Sequence, residues 1–247
     1  MPGFSAEKFI KELDSFFARE DLSGAGKYLR DACSETDRDG DERGKLTVLN
    51  EMIGFFRQTG EGEAALKAIE EALALIEKTG IAGEISGATV YLNCATTLKC
   101  FGKSREAMKY YDKTQAVYDK KLDKNHPLVA GLYNNKALAL QDIGETGESE
   151  KCFRKAIEIT LTDSANALET AVSYVNLAHL LFDKNPLDEE VNRLLDRAFE
   201  ILMNPRYYSF SKYAFTCRKC APSYGFFGRF ADEKILNERA DEVYAGN

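Results

Sequence analysis

Few side chains in this sequence are spaced to do chemistry. Cys217-Arg218-Lys219-Cys220 is one set: two thiols three residues apart with two cations between them. Cations beside a thiol favour the thiolate, the form that attacks disulfides and binds metals. The motif therefore reads as a redox pair or as half of a zinc site. Each reading lacks a part. Structural zinc takes four ligands, and no second C-x-x-C or H-x-x-x-H occurs. The redox motif belongs beside a strand, whereas this chain patterns as helix. On a helix, a spacing of three puts both thiols on one face, where cysteine serves as a small core hydrophobe. The core reading is preferred; the redox and metal readings stay open.

The two histidines offer less. His126 precedes Pro127 at a helix entry, a place for hydrogen bonding to a helix start. His179 can be paired with no serine or cysteine nucleophile, so it is a contact candidate and not a base. Asp37-Arg38-Asp39-Gly40-Asp41 resembles the opening of a calcium loop but has no Glu at the twelfth position; it reads as a polar connection. Residues 220–228 lack the G-K-[ST] of a phosphate loop and read as a turn that packs its aromatics on the preceding helix. No catalytic residue, metal or cofactor is expected.

The elements that must position these residues come from a repeat. Gly60, Gly102 and Gly144 are spaced by 42, then 42. Small residues recur twelve positions after each, at Ala72, Thr114 and Ala156, and Ala198 lies 42 further on. Ile53, Ala95 and Ala137 precede the glycines in the same phase, and Ala178 continues that series one residue early. Each unit reads as two amphipathic helices. Tyr133, Ala137 and Leu140 make one helix face at spacings of 4 and 3. Gly144 then ends that helix, and a second face follows with Ser149, Phe153, Ala156 and Ile157. Residues 5–34 read as a further, degenerate helix pair within 5–43.

Residues 204–230 differ from everything before them. They hold nine aromatics (Tyr207, Tyr208, Phe210, Tyr213, Phe215, Tyr224, Phe226, Phe227 and Phe230), five cations and no acid. The rest of the chain, with 28 cations against 40 acids, carries −12. A stack of helix pairs leaves an apolar face at its last repeat. Residues 204–247 are expected to cap it, with the acidic helix at 231–243 outermost. Use of these aromatics as a partner or self-association surface is the alternative.

The alternation of aromatic, small and large residues about a turn glycine resembles the tetratricopeptide repeat, whose usual unit is about 34 residues. The 42-residue period, with Asn125-His126-Pro127-Leu128-Val129-Ala130 opening a unit, resembles the kinesin-light-chain class. Departures are Thr114 and Ser149 where alanine is usual, and Pro186 in place of the turn glycine. The resemblance implies an all-α right-handed superhelix of about six helix pairs. It would form one solenoid over 1–247, with four 42-residue repeats over 44–203.

The resemblance further implies a non-catalytic scaffold that binds an extended peptide or partner protein on the concave faces of the first helices. Asn93, Asn135 and Asn176 fall at one phase and would hold a peptide backbone; alternatively each bonds only its neighbouring helix. Asn50, Gln141 and His179 lie beside them. Arg57 and Lys99 would hold a carboxylate, or are solvated surface cations.

Composition bounds the partners. The 247 residues carry a net charge of −7 with a pI near 5.1. A nucleic-acid binder needs a basic face, so none is expected as partner. No run of about 18 apolar residues suggests a membrane span. Met1 to Arg19 lacks the basic start and apolar core of a signal peptide, so a cytoplasmic location and six free thiols are expected. Homo-oligomerisation is possible on this reading.

Overall fold

The computed structural model describes residues 4–19, 21–207 and 211–245. Tyr208 and Phe210 of the aromatic segment lie outside them. Among the described residues the fold is all-α. The contacts gather the chain into two compact units, Met1–Lys121 and Leu122–Asn247, and each holds three helix pairs. The first contains α1 (Ala6–Ala18), α2 (Leu22–Asp39), α3 (Glu42–Thr59), α4 (Gly62–Thr79), α5 (Ile85–Cys100) and α6 (Ser104–Lys121). The second contains α7 (Pro127–Asp142), α8 (Thr146–Thr160), α9 (Ala167–Lys184), α10 (Glu189–Leu202), α11 (Ser211–Phe226) and α12 (Phe230–Ala245). No helix among the described residues is long and apolar enough to cross a membrane.

The repeat glycines do what their spacing predicts. Gly60, Gly102 and Gly144 have φ of 78°, 75° and 85°, left-handed values that a side chain disfavours. His126 accepts a hydrogen bond at Nδ1 from the Leu128 amide at 3.1 Å and caps α7, with Pro127 at its first position. Pro at that position forfeits no hydrogen bond, because the first amides of a helix have no partner anyway.

Ala65, Ala72, Ala95, Ala107, Ala137, Ala156, Ala178 and Ala198 are all fully buried. These are the small positions of the repeat, where helices meet with only a methyl group between them. Thr114 and Ser149 depart from alanine without leaving a polar group unsatisfied. The Thr114 hydroxyl donates to the Ala88 and Tyr110 carbonyls at 3.1 and 2.9 Å. That of Ser149 donates to the Ala137 carbonyl at 2.8 Å. Each reaches the partner helix of its own pair.

Ion pairs tie the pairs together. In the first unit Lys45 of α3 bonds Asp37 of α2 at 2.5 Å and also reaches Glu71 of α4. In the second, Arg154 of α8 holds Glu190 of α10 through both carboxylate oxygens at 2.9 and 2.8 Å. Such bidentate pairs are the stronger kind.

Two local expectations are corrected. Residues 37–41 are a polar connection only at Gly40 and Asp41: α2 runs to Asp39, Gly40 takes φ of 67°, and Asp41 caps α3 by accepting from the Gly44 amide at 2.9 Å. A glycine stop followed at once by an aspartate start needs no longer loop. Residues 220–228 are not mainly turn either, since α11 continues through Pro222 to Phe226. Proline interrupts a helix by removing one amide. Here the continuous buried face of Cys217, Cys220, Ala221 and Tyr224 outweighs that loss.

The last pair closes the second unit. Tyr213, Ala214 and Tyr224 join the same core as Leu195, Ala198 and Leu202, and the Tyr224 hydroxyl donates to the Leu195 carbonyl at 2.9 Å. The cations of the segment serve this docking: Lys212 pairs with Glu169, Arg218 with Asp241, and Arg229 with both Asp196 and Asp232. The rings divide. Tyr213 and Tyr224 are fully buried, whereas Phe215, Phe226 and Phe230 remain 62%, 59% and 69% exposed.

Cys217 and Cys220 face the core, and burial pushes their thiols up to about 11 and about 12. That shift is opposite to the one a reactive thiol needs. Among the described residues no group of three His, Cys, Asp or Glu side chains converges as metal ligands would.

Two outcomes follow from this packing. Tyr224→Phe should cost about 1 kcal/mol in urea unfolding, while Phe215→Ser, on the exposed side, should stay within about 0.5 kcal/mol. Equal losses would mean that the two rings share one environment. In native protein at pH 8, mass-resolved thiol labelling should modify the exposed Cys100 well before Cys217 and Cys220, which should react only in denaturant. Early labelling of the pair would restore the sensor reading.

Candidate functional site

The first helix of each repeat, α3, α5, α7 or α9, carries the polar residues singled out from the sequence. In the first unit they form one connected set. Asn93 on α5 donates through Nδ2 to the backbone carbonyl of Asn50 on α3 at 2.7 Å and to its Oδ1 at 3.2 Å. Its own Oδ1 accepts from Arg57 Nη1 at 2.6 Å, and the same nitrogen donates to Thr97 Oγ1 at 2.8 Å. Both ends of the Asn93 amide are thus engaged inside the protein, as the neighbouring-helix reading has it. Asn50 also donates to Glu51 Oε1 at 3.0 Å.

Arg57 is the residue this network positions. Its guanidinium is fixed at Nη1 by two neutral oxygens, and neither partner is a carboxylate. A Cβ placed on Gly54 would lie 3.9 Å from Nη2, so the far side of the fork passes over bare backbone. Guanidinium nitrogens present donors in a planar fork matched to a carboxylate; the unfixed edge keeps that capacity. Lys99 is half-buried on the same α5, two residues beyond the buried Thr97.

In the second unit the amides are less fully engaged. Asn176 on α9 donates through Nδ2 to Asn134 Oδ1 on α7 at 3.0 Å, where Ser173 also donates at 3.3 Å. Asn135 accepts at Oδ1 from Asn134 Nδ2 at 3.4 Å. Asn135 Nδ2 and Asn176 Oδ1 have no protein partner among the described residues. Gln141 donates to Asp183 Oδ2 at 2.9 Å.

His179 lies against the rings of Phe226 and Phe227, at centroid distances of 5.0 and 4.7 Å, beside Phe182. Burial holds its pKa below the usual histidine range, with Asp183 pulling weakly the other way. It therefore packs, half-buried, against the C-terminal aromatics.

Thr97, Gly54 and Asn134 were not singled out as site residues from the sequence. Thr97 carries a signal in hindsight, four residues after Asn93 on the same helix face. Asn134 sits one residue before the shared phase, so a strict comparison of equivalent positions passes over it. Asn50 has the same relation to Asn93.

Models described as tetratricopeptide repeat match residues 45–120 and 130–163. Clustered mitochondria protein homologs of Aspergillus fumigatus and Neosartorya fischeri are 24% identical over 158 residues, 64% of this chain. The alignment spans only 12% of the length of those curated relatives. Among solved structures, kinesin-light-chain TPR-like repeats of Podosopora anserina are 20% identical, with a TM-score of 0.58 over 82% of this chain and 96% of that one. BtubC (BKLC) from P. vanneervenii is 16% identical, with a TM-score of 0.60 over 93% and 91%. NprR in complex with its cognate peptide NprX is 9% identical, with a TM-score of 0.64 over 98% and 68%. With its left-handed turn glycines, buried alanines and 42-residue phase, the chain carries tetratricopeptide repeats over residues 45–120 and 130–163, and its fold is similar to that of the kinesin-light-chain TPR-like repeats.

Proposed function

We propose that the chain is a non-catalytic scaffold whose first-helix faces bind an extended peptide or a segment of a partner protein. The observation that carries this reading is Arg57: a half-buried cation held in place by Asn93 and Thr97 and paired with no acid among the described residues. Holding a long, flexible side chain in one position before binding reduces the ordering cost when a ligand arrives. The matching group is an acidic side chain or a terminal carboxylate. In the second unit, Asn135 Nδ2 and Asn176 Oδ1 offer a donor and an acceptor to a peptide backbone. The peptide bound to NprR supports a peptide as the kind of ligand. The six free thiols support a reducing compartment such as the cytoplasm.

A second reading, self-association through the C-terminal aromatics, draws on the exposure of Phe215, Phe226 and Phe230. Most of the segment's cations are already paired within their own unit, which leaves apolar contact as its driving force. Sedimentation of wild type against Phe226→Ser/Phe230→Ser decides it: a dimer lost in the variant supports self-association, and a monomer in both removes it.

The groove reading is tested with fluorescent extended peptides that differ only in their acidic residues. Arg57→Gln should weaken the acidic peptides roughly tenfold, the size of one charge-assisted hydrogen bond, with unchanged helicity. Asn135→Ala and Asn176→Ala should each cost about 0.5–1.5 kcal/mol for all the peptides. If Arg57→Gln binds every peptide as wild type does, the acidic-ligand reading fails.

A further inference from the structure

The N-terminal halves of α3 and α5, with the segment between α4 and α5, line a half-open cavity of about 400 Å³. That lies within the range of small-molecule sites, roughly 300–1,000 Å³. Its apolar lining comes from Leu46, Ile81 and Val90, all of which are buried. Two exposed charges of opposite sign also line it, Arg43 on α3 and Glu84 at the entry to α5.

Neither charge has work to do inside the protein. Among the described residues no ion pair or side-chain hydrogen bond engages the Arg43 guanidinium or the Glu84 carboxylate. Glu84 stands at the cap position of α5 without making a side-chain cap. Arg43 is the second residue of α3, where the helix dipole disfavours a cation. The two line one cavity yet do not pair with each other. A cation and an anion that line one cavity without pairing, beside three apolar side chains, complement a molecule with a carboxylate, an ammonium and a hydrocarbon side chain.

We infer that this cavity binds a zwitterionic apolar amino acid or a very short peptide of such residues. Arg43 receives the carboxylate, Glu84 the ammonium, and Leu46, Ile81 and Val90 the side chain. The inference does not use Arg57 or Asn93, which lie in the C-terminal halves of the same helices; Asn50, which Asn93 bonds, lines the cavity together with Thr47, Ser86 and Thr89.

Calorimetric titration of the full chain with leucine and with the dipeptide leucyl-leucine tests it, beside N-acetyl-leucine, which lacks the ammonium, and leucinamide, which lacks the carboxylate. Leucine or the dipeptide should bind saturably, and whichever binds more tightly identifies the source. Arg43→Gln and Glu84→Gln should each weaken that ligand roughly tenfold. Arg43→Gln should no longer prefer leucine to leucinamide, and Glu84→Gln should no longer prefer leucine to N-acetyl-leucine. Arg57→Gln should bind leucine as wild type does, which separates this site from the peptide face. Absence of saturable binding by both leucine and the dipeptide, equal binding of all four compounds, or wild-type affinity in both Arg43→Gln and Glu84→Gln would overturn the inference.

Discussion

The structure depends on how closely two helices can approach where they cross. Interhelical distance is set by the side chains at the contact, and this chain puts alanine there in repeat after repeat. Ala95, Ala137 and Ala178 lie on the first helices of their pairs, and all are sealed from solvent. Close approach brings backbone carbonyls within reach of a neighbouring helix, which is why Thr114 and Ser149 are tolerated among alanines. An unbonded buried hydroxyl costs about 1–3 kcal/mol; at these two positions the nearby carbonyl satisfies it. The large rings then fill the space on either side, as Tyr91, Tyr111 and Phe153 do.

The same closeness builds the polar face. Arg57 can reach Asn93 and Thr97 because α3 and α5 run side by side in adjacent repeats. Its guanidinium is held by residues of a neighbouring helix rather than by a loop. The C-terminal end shows the opposite arrangement. There His179, one residue after the buried Ala178, lies against Phe226 and Phe227, and aromatic packing takes the surface that polar groups occupy elsewhere.

How much of this was legible in the sequence follows from the range of each interaction. The repeat was legible because its signals, a glycine and a small residue at fixed phase, act within one helix pair. The core character of Cys217 and Cys220 was legible from a spacing of three on a helix. The extent of α2 through Asp39, and of α11 through Pro222, was not, because polar residues and a proline argue locally for an ending that packing overrides. The engagement of Asn93 was half legible. Its phase was visible, but the choice between a neighbour and a ligand depends on an offset of one residue between helices. The cavity beside Arg43 was invisible, since its walls come from two helices and the segment that separates them.

That one-residue offset has a counterpart in how the chain tolerates change. Asn93 reaches back 43 residues to Asn50, and Asn176 reaches back 42 to Asn134. The bond from Nδ2 to Oδ1 is the same although one residue has been lost between Ala156 and Ala178. Alignment between repeats is therefore written on the helix faces, and the segments joining them need only be long enough. Loop closure changes slowly with length, so insertions and deletions there are nearly silent. A gene built this way can gain, lose or exchange whole hairpins while each newcomer finds its own seat by matching small residues to small residues.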